Sequence, residues 1–131
     1  MLEAALAAGW LGTGSAAAQG STPARPPIFE HDLPAVALDG WSVTAVELRY
    51  EAGAKPSPPH KHPGFVLGYV IEGAITFQLA GGPQQVLRAG QMFYEAPGSV
   101  HLVSGNASAT EPARLLAMVF AEKGVPRTTP A

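Results

Sequence analysis

The stretch from Phe65 to Pro83 reads FVLGYVIEGAITFQLAGGP. Phe65 to Ile71 is a mostly apolar run of the length a buried strand takes. Glu72 and Gly73 interrupt it. Ala74 to Leu79 then resumes, with Ile75, Phe77 and Leu79 at alternate positions, so one face of a second strand is apolar. Gly81–Gly82–Pro83 is a turn signal. Strand, glycine break, strand and turn in quick succession predict an antiparallel, all-β domain.

The pattern extends in both directions. Trp41 to Leu48 alternates apolar and other residues, as a half-buried strand does. Gln84 to Arg88 is a short strand ended by Ala89–Gly90. Met92 to Glu95, Ser99 to Ser104 and Arg114 to Ala121 complete the set. No segment between Ile28 and Ala121 sustains a 3.6-residue period, and no internal repeat stands out. Short strands, Gly/Pro turns and no helices predict a sandwich, jelly roll or barrel over residues 28–121. Residues 122–131 read as a C-terminal tail.

The chain has 131 residues, 47% of them hydrophobic, enough for one domain with one core. It has no cysteine, which removes thiolate catalysis, Cys-based zinc sites and disulfides together. Eight basic and ten acidic residues give a formal charge of −2, with no Lys/Arg run, so nucleic acid is not an expected partner. No apolar stretch is long enough to span a bilayer.

Residues 1–27 differ from the rest. Ala4 to Leu11 is apolar, and Ala16 to Ala18 offer the small residues of a signal-peptidase site, giving a product that starts at Gln19. Against this, Glu3 stands where a basic n-region belongs, and the first Lys or Arg is Arg25. The expectation is a signal-peptide-like leader and a periplasmic or secreted protein. An Ala/Gly-rich tail on a cytoplasmic one is the alternative. Ser21 to Pro27, with three prolines, reads as a linker.

The chemistry lies with the histidines. His60–Lys61–His62 is an i, i+2 pair, and on a strand both imidazoles project from one face. His101 sits in another strand-like segment. Three imidazoles from two strands make an economical site for one divalent ion: iron, zinc, nickel, copper or manganese. A lone His-x-His is more often a solvated surface pair, so the surroundings decide.

Those surroundings resemble the cupin superfamily. Its first motif, G-x5-H-x-H-x3,4-E-x6-G, is matched by Gly53, His60, His62 and Gly73. Its second, G-x5-P-x-G-x2-H-x3-N, is matched by Gly90, Pro97–Gly98, His101 and Asn106. The sequence is most similar to small single-domain bacterial cupins of unassigned activity, in Gly64–Phe65, Tyr69 to Gly73, Glu95 to Gly98 and Asn106 to Leu116. The resemblance implies a jelly-roll, or double-stranded β-helix, barrel with a metal held by His60, His62 and His101.

The chain departs from the pattern where a ligand belongs. Gly53, Pro97 and Asn106 are each displaced by one place, which loops accommodate. The motif glutamate, however, falls on Val66, between Phe65 and Leu67, and none of these can coordinate. Gln78 or water could fill the place, but Gln78 alternates with the apolar set of its strand and is expected to face outward. Glu72 reads as a turn residue. Tyr94 and Glu95 alternate, so only one can face the interior. His31 belongs to no motif, and Trp41, Phe93 and Phe120 read as core.

Three neutral ligands would leave an ion its full charge and open positions, suited to a small anionic or chelating molecule. One reading is a metal-dependent enzyme: among cupins, three-histidine sites resemble those of some iron-dependent dioxygenases, and the family also holds isomerases, decarboxylases and epimerases, so the fold alone does not choose. No catalytic acid–base pair is identifiable. The alternative is a non-enzymatic small-ligand binding or storage module. A homodimer is expected, with the segment Ile28 to Leu33 added to a sheet edge.

Overall fold

The computed structural model describes residues 20, 21 and 23–131. The leader-like features read between Met1 and Gln19 lie outside the described residues. Nine strands follow in order: β1 (Trp41–Tyr50), β2 (His60–Lys61), β3 (Phe65–Glu72), β4 (Ala74–Leu79), β5 (Gln85–Arg88), β6 (Met92–Glu95), β7 (Val100–Asn106), β8 (Ala113–Glu122) and β9 (Thr129–Pro130). They form two antiparallel sheets, β1-β8-β3-β6 and β5-β4-β7-β2-β9. This is the expected all-β jelly roll. The central strands match the sequence reading to within two residues at their ends, the strand read at His60 is present as β2 but stops at Lys61, and β9 is additional.

The alternation of side chains explains the layers. Along the β1–β8 ladder, Val46 faces Ala117, Leu48 faces Leu115 and Tyr50 faces Ala113, and these pairs point between the sheets. Val66 and Val70 of β3 and Ile75 and Phe77 of β4 join Tyr50, Ala113 and Leu115 in one core, with Ala117 packed against it. Burying each of the larger aliphatic or aromatic side chains contributes about 1.5–3 kcal/mol. On the other side of β3, Phe65 stacks on Phe120 at 4.6 Å and is itself nearly inaccessible.

Two glycines are fixed by space. A Cβ on Gly68 would overlap the ring of Phe93, its partner on β6. Gly73, between β3 and β4, has φ +73° and abuts the Pro112 carbonyl, so the hairpin closes only without a side chain there.

Asn106 of the second motif organises a loop. Its amide donates to the carbonyls of Glu51 and Glu111 at 3.1 and 2.7 Å, and its oxygen accepts from Ser108 N at 2.9 Å. Glu72 ends β3 instead of sitting in the turn, and it pairs with Arg114 at 2.8 Å. Hydrogen bonds to Glu72 and then Glu47 hold the Arg114 guanidinium firmly charged.

The chain after Glu122 comes back to the barrel. β9 pairs with β2, His60 opposite Pro130 and Lys61 opposite Thr129. Residues 28–33 form no strand. No helix among the described residues is long and apolar enough to cross a membrane.

Candidate metal centre

β2 is only two residues long, wedged between β7 and β9, and it places His60 directly opposite His101 of β7. His62 follows just beyond the strand end. The rings of His60 and His62 are 5.1 Å apart between centroids, and those of His60 and His101 are 5.0 Å apart. Imidazoles bound to a common ion at about 2.1 Å have centroids roughly 4.5–5.2 Å apart when they subtend 90–110°. These two spacings fall in that range.

Two of the rings are oriented by backbone carbonyls. His60 Nδ1 is 2.9 Å from Pro58 O. His62 Nδ1 is 2.7 Å from Arg127 O and 3.2 Å from Thr128 Oγ1. An Nδ1–H that donates to a carbonyl fixes the tautomer and leaves the Nε2 lone pair for coordination. The residues just before β9 thus hold one of the three histidines in place.

Glu95 enters the same site. On β6 it shares a face with Phe93, which packs inside against Phe77 at 4.4 Å. Its carboxylate is 3% exposed, with Oε1 3.1 Å from His101 Nδ1 and Oε2 3.8 Å from His62 Nε2. Among the described residues, three buried side-chain polar atoms have no hydrogen-bond partner: Glu95 Oε2, His101 Nε2 and Thr129 Oγ1. All three residues line one cavity. A buried polar atom without a partner costs about 1–3 kcal/mol, more if charged, so their concentration here points to a ligand-binding site. No set of three or more His, Asp or Glu side chains among the described residues stands as a ready-made metal cage. The ring of His101 is engaged by Glu95, and an ion entering between them would require those two groups to part. The donor set, three imidazoles and a carboxylate, fits a divalent transition metal.

The cavity has a volume of about 470 Å³. Its wall opposite the histidines is apolar, built from Val46, Leu48, Val66, Phe93, Leu115 and Val119. Hydroxyl groups come from Tyr50 and Ser104, which hydrogen-bond to each other at 3.1 Å, and from Ser57, Thr128 and Thr129. Val66, the residue in the motif's glutamate slot, does face this cavity.

The remaining candidates lie elsewhere. Gln78 donates to Gly82 O at 3.1 Å and does not line the cavity, as its alternation with Phe77 and Leu79 implies. Tyr94 is on the opposite face of β6 from Glu95 and stacks on exposed His31 at 4.0 Å. Phe93 is core, whereas Trp41 and Phe120 are half-buried and cover Phe65. Sequence reasoning left Glu95 undecided and missed the hydroxyl pair. The signal for Glu95 was its spacing of two from Phe93.

A cupin-domain family model matches residues 46–119. No curated protein sequence matches the chain. Among solved structures, the DMSP lyase DddQ from Ruegeria pomeroyi is 20% identical with a TM-score of 0.59, the match covering 69% of this chain and 43% of that one. A conserved double-stranded β-helix protein from Klebsiella pneumoniae is 23% identical with a TM-score of 0.56, over 80% and 87% of the two chains. An oxalate oxidase is 25% identical with a TM-score of 0.55, over 71% and 47%. The chain spans less than half the length of the DMSP lyase structures it matches. With the family match extending over more than half of its residues and the jelly roll in place, the chain belongs to the cupin family.

Proposed function

We propose that this cupin is a metal-dependent protein acting on a small anionic or chelating molecule, with one divalent ion held by His60, His62 and His101. The observation that carries the reading is the gathering of three imidazoles and three unpartnered buried polar atoms in one apolar cavity. When bound, the ion supplies Lewis-acid chemistry and open positions for oxygen donors. A divalent ion beside one carboxylate keeps net positive charge in an apolar chamber, which favours an anionic head group. The chain's own groups divide the remaining work. The apolar wall packs the body of the molecule and excludes water. Tyr50 and Ser104 offer a hydroxyl pair within the cavity that can donate to a bound oxygen. Arg127 O and Thr128 hold His62 in register.

Relatives of similar fold include an oxalate oxidase, whose substrate by name is a small dicarboxylate. Oxygen-dependent conversion of a chelating acid or diketone is the enzymatic form of this reading. Oxygen uptake by the metal-loaded protein with a panel of dicarboxylates, diketones and catechols tests it. Turnover abolished in H62A supports the enzyme. Tight, stoichiometric binding without turnover across the panel would instead make the protein a small-ligand binding module.

We also propose that the protein is a homodimer. Ile28 and Leu33 are 71% and 59% exposed, and Val43 on β1, an edge strand of its sheet, is 55% exposed. A second copy laying residues 28–33 along an open edge would cover such surface. Sedimentation at micromolar concentration giving a monomer would reject this.

A further inference from the structure

We propose that Glu95 is the carboxylate ligand of this centre, delivered from β6 to the place that residue 66 leaves apolar. The inference rests on the metal-centre reading above and assigns a ligand that the family's motif does not contain. Its first support is register. Val66 and Glu95 are partners in the β3–β6 pair, and both line the cavity. In an antiparallel pair, directly opposed residues share a face with Cβ atoms about 4.5–5.5 Å apart. A carboxylate moved from residue 66 to residue 95 therefore stays on the same side of the same sheet, shifted by one strand.

The second support is chemical. Glu95 is the one carboxylate among the residues lining the cavity. Its Oε2 is buried and unpartnered, which a structural carboxylate in a folded core avoids. Its oxygens stand 3.1 Å from His101 Nδ1 and 3.8 Å from His62 Nε2. The distance that bears on coordination is the second, because Nε2 is the nitrogen that the Arg127 carbonyl leaves free on His62, and donors that share an ion at about 2.1 Å are about 3.8 Å apart at 130°. The third support is electrostatic. An ion held by three neutral imidazoles against Val66 would bring two uncompensated charges into an apolar wall, and one carboxylate removes half of that burden.

A carboxylate that only oriented His101 through its ring N–H would act from outside the coordination sphere, and loss of such a partner typically weakens metal binding about 10–100-fold. This separates the two roles. Isothermal titration with zinc and with manganese should be run on the wild-type protein, E95Q, H62A and the exchange variant V66E/E95V, with thermal melts to establish folding. E95Q, nearly isosteric, should weaken zinc by more than about 100-fold, beyond an outer partner's effect. V66E/E95V keeps the composition and returns a carboxylate to the same face, and it should recover most of the lost affinity. A loss in E95Q of less than about tenfold while H62A abolishes binding would overturn the role of Glu95 and leave the three-histidine centre standing. A loss of about 10–100-fold with no recovery in the exchange variant would make Glu95 an outer partner and overturn it equally. Wild-type protein that binds neither ion would overturn the metal centre itself.

Discussion

Val66 and Glu95 face each other across the β3–β6 pair, one apolar and one ionisable, and each is no more than 3% exposed. Such a pairing is stable only if the carboxylate has somewhere to direct its oxygens, and here they point at His62 and His101. Adding a second carboxylate at residue 66 therefore has opposite effects with and without metal. In chelator, V66E should lose about 2–4 kcal/mol, roughly 5–15 °C in Tm, because two buried carboxylates repel. Saturating manganese should recover much of that loss, and binding of a small dicarboxylate to the metal-loaded variant should weaken. An unchanged Tm in chelator would mean that residue 66 does not meet Glu95.

Gly68 and Phe93 set the depth of the site. A methyl group at residue 68 would collide with the Phe93 ring, two residues from Glu95. G68A should destabilise the protein by about 1–3 kcal/mol, as overpacking of a core does. G68A/F93L should recover part of this by making room. Denaturant unfolding measures both, and an undiminished midpoint in G68A would contradict the packing described.

The carboxy-terminal return holds His62 through Arg127 O and Thr128 Oγ1. Deleting residues 125–131 removes that support and β9 with it. Zinc affinity should fall by about 10–100-fold, the usual effect of losing an outer partner of a metal-bound imidazole. Titration at unchanged far-ultraviolet circular dichroism checks it. Equal affinity in the truncated chain would show that the tail plays no part in the site.

Asn106 supplies a control. Its side chain satisfies two carbonyls and one backbone N–H in the loop around Ser108. N106A should cost about 1–3 kcal/mol in stability while leaving metal affinity within about twofold. A large change in affinity would tie this loop to the centre.

Much of the barrel was legible in the sequence because its strands announce themselves by alternation. Ile75, Phe77 and Leu79 define one face of β4, and the same rule correctly turns Gln78 away from the cavity. The glycine break at Gly73 and the turn at Gly81–Gly82 fall where the chain reverses. What escaped was an element that owes its existence to a tertiary partner. β9 is two residues long and carries no periodicity; it exists because β2 supplies its hydrogen bonds. Glu72 looked like a turn residue because nothing local reveals Arg114, forty-two positions away.

The candidate site divides in the same way. His60, His62 and His101 could be named from motif spacing, and the structure brings their rings together. Glu95 was open to the same reasoning. Phe93 reads as core, and a residue two further along a strand shares its face. The tyrosine and serine hydroxyls were beyond reach, since Tyr50 and Ser104 meet only through the folding of β1 against β7. Val66 shows the limit most plainly. The motif locates a missing ligand, but only the strand register shows which neighbour stands across from it.

The proposed function depends on the centre taking up an ion. The most direct measurement is elemental analysis of protein purified anaerobically without chelator, alongside H62A and H101A. About one equivalent of a divalent transition metal is expected per wild-type chain, and little in either variant. Wild-type protein that carries no metal, and that takes up none of iron, manganese, zinc, nickel or copper on titration, would contradict it.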